Sequence, residues 1–136
     1  MVVKVFVDTN IVIDLIENRD FDRVSISNLF LLAENAEIEI YISESVITNA
    51  LYITKLPNQI DLLLKIVNAC CFKIETFQKG LLDIYKDKED AILYFGALQN
   101  KMDYFITRNK KDFLKFAETS LPVLSPKEFL DNIKSK

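Results

Sequence analysis

The chain is predicted to fold as an α/β domain around a parallel sheet. Three features carry that expectation: short β-branched apolar runs, apolar residues at helical spacing between them, and capping residues at the joins. Residues 2–7 form the first strand, of the largely apolar kind that is buried on both faces. Asp8, Thr9 and Asn10 then supply capping side chains for a helix running through Ile11, Val12, Ile13 and Leu15. Ile26, Leu29, Phe30 and Ala33 repeat at helical period within residues 25–34, and Ile38, Ile40 and Ile42 alternate as a second strand. Ser43 caps a helix that carries Val46, Ile47, Ala50, Leu51 and Ile53, and Pro57 starts another through Ile60, Leu63, Leu64 and Val67. Residues 72–75 make a short third strand. Asp87, Glu89 and Asp90 place acids in the first turn of a helix whose apolar face continues through Ile92, Phe95 and Leu98. Residues 103–107 are the fourth strand, Asn109 caps a helix holding Phe113, Leu114 and Phe116, and residues 121–124 are the fifth strand. Ser125 and Glu128 have the spacing of a capping box. Strands alternating with helices imply right-handed crossovers and a sheet covered on both faces, a three-layer α/β/α sandwich. The 136 residues, half of them hydrophobic, fit one domain spanning 1–136, with no repeat or linker.

Composition removes several kinds of chemistry. The chain has no histidine, which excludes Ser-His-Asp and Cys-His catalysis as well as histidine acid–base work. Its two glycines, Gly80 and Gly96, cannot build a glycine-rich dinucleotide turn or a phosphate-wrapping P-loop. Cys70 and Cys71 are adjacent, an awkward geometry for a mutual disulfide, and nothing completes a zinc site around them. The first apolar residues reach Asp8 too soon for a signal peptide, and no run is long enough to span a bilayer, so a soluble cytoplasmic protein is expected. The net charge of −3 disfavours nucleic-acid binding through a broad basic surface. It leaves room for a nuclease, because an acidic metal site lowers the charge by itself while Arg108, Lys110, Lys111 and Lys115 remain to meet a phosphate backbone. Carboxylates and amides are then the groups left for chemistry, and a hard divalent cation is their natural companion.

Side chains at the carboxyl ends of parallel strands and at the amino ends of the following helices collect in one crevice. Asp8 ends the first strand, Asp90 lies in the first turn of the helix before the fourth strand, and Asp112 lies in the first turn of the helix after it. Three carboxylates gathered there would repel one another unless a cation joined them. Each acid also has a plain structural reading: Asp8 as a helix cap, Asp90 as a dipole partner, and Asp112 as the reciprocal partner of Asn109 in a cap.

Three segments, taken together and in order, resemble the motifs of the PIN-domain family: Phe6-Val-Asp8-Thr-Asn-Ile-Val-Ile-Asp-Leu15, Glu89-Asp90-Ala-Ile-Leu-Tyr, and Ile106-Thr-Arg-Asn-Lys-Lys-Asp-Phe113. The resemblance spans nearly the whole chain. It implies a parallel five-stranded sheet, an Mg²⁺ or Mn²⁺ site, and ribonuclease activity, most commonly as the VapC-like toxin of a toxin-antitoxin pair that is often a homodimer. It also implies an antitoxin that blocks the acidic pocket with an arginine or lysine. Carried over residue by residue, Asp8, Asp90 and Asp112 resemble the catalytic metal-binding acids, and Thr107 and Asn109 match polar positions beside them. One departure stands out, because the family usually has a glutamate where this chain has Asn49. Asn49 offers a carbonyl oxygen without charge, and Glu44 is five residues away, roughly 140° around the helix, and cannot take its place. A weakened PIN domain serving as an RNA-binding or protein-interaction module is the alternative. A haloacid-dehalogenase-like phosphatase wants an aspartate where Asn10 stands, and a response-regulator receiver wants an acidic pair at the start that this chain lacks.

Overall fold

A computed structural model describes residues 2–17, 23–53, 57–74 and 88–134. In chain order the elements are β1 (Val3–Val7), α1 (Thr9–Glu17), α2 (Arg23–Glu34), β2 (Ile38–Ser43), α3 (Glu44–Ile53), α4 (Pro57–Cys70), β3 (Cys71–Ile74), α5 (Lys88–Gln99), β4 (Tyr104–Ile106), α6 (Lys110–Leu114), β5 (Val123–Leu124) and α7 (Pro126–Lys134). The expected end of the third strand, Glu75, and the expected helix opener, Asp87, lie outside the described residues. No helix among the described residues is long and apolar enough to cross a membrane.

The strands form one parallel sheet in the order β3-β2-β1-β4-β5. β1 is the central strand, and Val5, Phe6 and Val7 on it are fully buried, which is why it reads as an apolar run and not as an alternation. Val5 pairs with Ile40 on one side and with Tyr104 on the other. The chain first steps outward from β1 to β2 and β3, then returns across β1 to β4 and β5. Right-handed crossovers therefore put α1 to α4 on one face of the sheet and α5 and α6 on the other. Helix contacts agree, since α1 packs on α2, α3 and α4, while α5 packs on α6. α7 follows β5 and lies against α2.

The strand ends expected from sequence extend beyond the regular ladder by single hydrogen bonds. The Asp103 amide donates to the Lys4 carbonyl at 2.8 Å, and the Thr107 amide donates to the Leu124 carbonyl at 3.0 Å. The Ser125–Glu128 capping box is present in both directions, with Ser125 N–H on Glu128 Oε1 at 3.0 Å and Glu128 N–H on Ser125 Oγ at 3.2 Å. Ser43 caps α3 by accepting from the Val46 amide at 3.3 Å. Asn109 occupies the N-cap position of α6 but makes no side-chain capping bond, a correction to its expected role. Its backbone carbonyl instead accepts from the Asp112 amide at 3.1 Å.

α5 also departs from expectation. Ala91, Leu93, Tyr94 and Ala97 are its deeply buried residues, whereas Ile92, Phe95 and Leu98 are half-buried. The helix is apolar nearly all round, so periodicity alone cannot select its inner face. Tyr94 settles the orientation: its hydroxyl donates to the Leu121 carbonyl at 2.8 Å and accepts from the Glu118 amide at 2.7 Å. Its ring also joins an aromatic cluster with Phe105 and Phe116 at centroid separations of 5.5 and 5.4 Å. Such pairs contribute about 1 kcal/mol each beyond area burial. α5 is thereby held against the segment leading into β5, with Asp90 one turn earlier on the same helix.

Candidate metal centre

The strand order places the topological switch point between β1 and β4, where the chain leaves in opposite directions and a crevice opens at the carboxyl ends. Asp8 directly follows β1 and Thr107 directly follows β4. The Asp8 amide donates to the Ile106 carbonyl at 3.2 Å, so the two strand ends remain zipped together up to the site. The Asp8 side chain is buried and serves two local partners. Oδ1 accepts from the Ile11 amide at 3.3 Å, capping α1, and Oδ2 accepts from the Thr107 hydroxyl. The Thr107 Oγ1 accepts in turn from the Asn109 amide at 3.0 Å. Capping and site-building are thus one arrangement at Asp8, and no choice between the two readings is required.

Asp8 faces a cavity of about 300 Å³ lined by Asp8, Thr9, Asn10, Asn49, Tyr52, Ile53, Asp90 and Leu93. Four elements or their ends contribute: the β1–α1 junction, α1, α3 and α5. Burial pushes the Asp8 carboxyl up from its ordinary 3.8 to about 6. The Thr107 and Ile11 hydrogen bonds pull it down, the neighbouring Asp90 carboxylate pushes it up, and the Arg108 guanidinium lowers it. A buried carboxyl in that condition, beside a second acid, favours a cation. The Thr9 hydroxyl oxygen is also buried and has no hydrogen-bond partner among the described residues. Together with the amide oxygens of Asn10 and Asn49, this is an all-oxygen donor set of the kind that suits Mg²⁺ or Mn²⁺. The carboxylate count is modest, because no group of three or more acidic, cysteine or histidine side chains suited to a metal is found among the described residues.

Of the residues singled out from sequence, Asp8, Asp90 and Asn49 line the cavity, and Thr107 supports Asp8 from behind. Asp112 is in the first turn of α6 as expected, but its side chain is exposed and does not line the cavity. Asn109 is exposed as well. Glu44 is exposed at the start of α3, away from the lining residues.

Two basic residues considered for substrate contact are engaged within the fold. Arg108 Nε lies 3.3 Å from Oδ2 of Asp14, whose side chain is fully buried. Lys110 Nζ lies 3.1 Å from Glu128, tying α6 to the cap of α7. The Asp14–Arg108 pair was missed in the sequence reading, although a signal exists. Asp14 is an acid inside an otherwise apolar helical run, and a carboxylate buried there requires a partner. The cavity residues Asn10 and Tyr52 were also not selected.

With this geometry in place, the relation to known proteins is direct. A family model described as the PIN domain matches residues 4–111, and the chain belongs to the PIN-domain family. Among solved structures, a chain from the crystal structure of VapBC2 from Rickettsia felis bound to a DNA fragment from their promoter shares the fold. The TM-score is 0.62 at 22% sequence identity, covering 88% of this chain and 96% of that chain. No curated protein matches.

Proposed function

We propose that this PIN-domain protein is a divalent-metal-dependent endoribonuclease and the toxin of a VapBC-type pair, working as a single-domain homodimer in the cytoplasm. PIN-domain proteins are nucleases, and the observation that carries the finer reading is the meeting of Asp8 and Asp90, from separate segments, in one open oxygen-lined cavity at the switch point. Bound Mg²⁺ or Mn²⁺ supplies a water of lowered pKa and neutralises charge gathering on the phosphate oxygens. Asp8 and Asp90 would hold the cation, with Asn49 offering a neutral carbonyl oxygen where a charged ligand would bind more strongly. Thr107 keeps Asp8 oriented by donating to it, and Ile11 N–H fixes the other oxygen, so the carboxylate does not reorganise when substrate arrives. Asp112, the third acid that the motif resemblance offered, is exposed on α6 and outside the cavity lining, and a part for it in holding the cation would need a rearrangement of α6 toward the cavity. An antitoxin would inhibit by placing an arginine or lysine in the same electrostatic niche.

The test is cleavage of mixed single-stranded RNA with Mn²⁺, with Mg²⁺ and with EDTA, using the Asp8→Asn protein as control. Cleavage in Mn²⁺ that disappears in EDTA and in the variant is the expected result. Cleavage indifferent to both would overturn it. A second reading, a weakened PIN domain that binds RNA or protein without cutting, draws on Asn49 and on the low carboxylate count. Its signature in the same assay is RNA retention without cleavage in either metal.

A further inference from the structure

We infer that Tyr52 forms a nucleobase-stacking subsite at the mouth of the cavity; this rests on the nuclease reading above. Tyr52 lies on α3 three residues after Asn49, a spacing that puts both side chains on one helix face, and both line the cavity that holds Asp8 and Asp90. Tyr52 is 77% exposed, and Ile53 beside it on the same rim is 48% exposed.

Part of the positive charge near this end of the sheet is committed to the fold. The chain carries a net charge of −3, and Arg108 and Lys110 are drawn to Asp14 and Glu128. A site with acidic walls gains from an uncharged contact, and an aromatic face beside the cavity provides one. Base stacking on an aromatic side chain improves affinity by roughly tenfold per base and is indifferent to sequence. A base inside a duplex has both faces covered by its neighbours, so only an unpaired nucleotide can use the ring. The amide of Asn49 and the ring of Tyr52, one turn apart, would then hold the cation and the adjoining base respectively.

The sequence has no tryptophan, so Tyr52→Trp introduces a single indole, which can be excited apart from the tyrosines, at the proposed contact. Titration with a short single-stranded RNA in EDTA should quench it saturably, and the same RNA annealed to its complement should act roughly tenfold more weakly. In the Mn²⁺ cleavage assay Tyr52→Ala should raise KM roughly tenfold with little effect on kcat, and Tyr52→Phe, which keeps the ring, should restore KM. An unquenched indole, equal quenching by the duplex, an unchanged KM in Tyr52→Ala, or a Phe variant as impaired as Ala would each overturn the subsite. Saturable quenching by single strands in a protein that never cuts RNA supports the subsite and defeats the nuclease reading. Cleavage that ignores Tyr52→Ala does the reverse.

Discussion

The carboxyl ends of β1 and β4 look alike in sequence and do different work in the fold. Each strand is followed by three polar residues and a helix: Asp8-Thr9-Asn10 before the body of α1, Thr107-Arg108-Asn109 before α6. After β1 the polar residues line a cavity. After β4 they turn to the protein itself, with Thr107 donating to Asp8, Arg108 paired with buried Asp14, and Lys110 just beyond paired with Glu128. One end presents chemistry and the other braces it. The difference teaches that a strand-end motif acquires its role from its neighbours in the sheet, because the central strand β1 has helices α3 and α5 beside its end to complete a pocket.

That contrast is most exposed to failure in the two acids it separates. Asp8→Asn should lower Mn²⁺-dependent cleavage by at least ~100-fold, whereas Asp112→Asn should lower it far less, since Asp112 is exposed and does not line the cavity. Equal losses measured in initial rates would erase the distinction between the presenting end and the bracing end. Next in size is the brace. Arg108→Ala removes the guanidinium beside the buried Asp14 carboxylate and should destabilise the protein by about 3 kcal/mol in urea unfolding. The paired change Asp14→Leu with Arg108→Met should recover most of that loss, and an Arg108→Ala protein of unchanged midpoint would show that the pair braces nothing.

Smaller, and specific to the presenting end, is a dependence on pH. Unfolded, the Asp8 carboxyl titrates near 3.8, and in the fold near 6, so the native state holds more protons between those values. Stability in EDTA should therefore fall as pH rises from about 4 to about 6, by up to roughly 3 kcal/mol at about 1.4 kcal/mol per pKa unit. Asp8→Asn should flatten this profile, and a slope that survives the substitution would locate the titration elsewhere. Smallest is the adjustment at Asn49. Asn49→Glu should tighten Mn²⁺ binding by several-fold to about tenfold, as one added charge does beside a partly buried cation, and should raise cleavage. Asn49→Ala should weaken both, and Glu44→Ala should change neither. Calorimetry showing Asn49→Glu without effect, or Glu44→Ala as damaging, would mean that α3 meets the cavity with another face.

Much of this architecture was legible because it follows from local rules. Apolar runs flanked by Asp8, Ser43 and the Ser125–Glu128 box announced strands, helices and their starts, and all three caps form as hydrogen bonds. Local rules failed where two solutions satisfy them. α5 has apolar residues on every side, so its inner face was chosen by the Tyr94 hydroxyl finding Leu121 and Glu118, far away in sequence. The manner in which two helices close was not signalled either, because neither uses glycine. Ala36 and Lys101 adopt left-handed φ of 61° to close α2 and α5. In each, the amide of the left-handed residue and the amide after it donate to carbonyls of the last turn in a Schellman pattern, Ala36 to Ala33 and Glu37 to Leu32, Lys101 to Leu98 and Met102 to Ala97, a conformation that side-chain identity did not advertise.

The sequence by itself determined the fold class, the presence of Asp8 and Asp90 at element ends, and that of Asn49 on the helix after β2, since strand and helix periodicity and capping are properties of short segments. Only the tertiary structure decided that Asp8, Asn49 and Asp90 share a cavity while Asp112 stands outside it, and that Arg108 and Lys110 serve the fold. Those outcomes depend on the order β3-β2-β1-β4-β5, which brings residues about a hundred positions apart into hydrogen-bond contact. They also depend on the cost of burying charge, which obliges Asp14 to claim Arg108 before any ligand can.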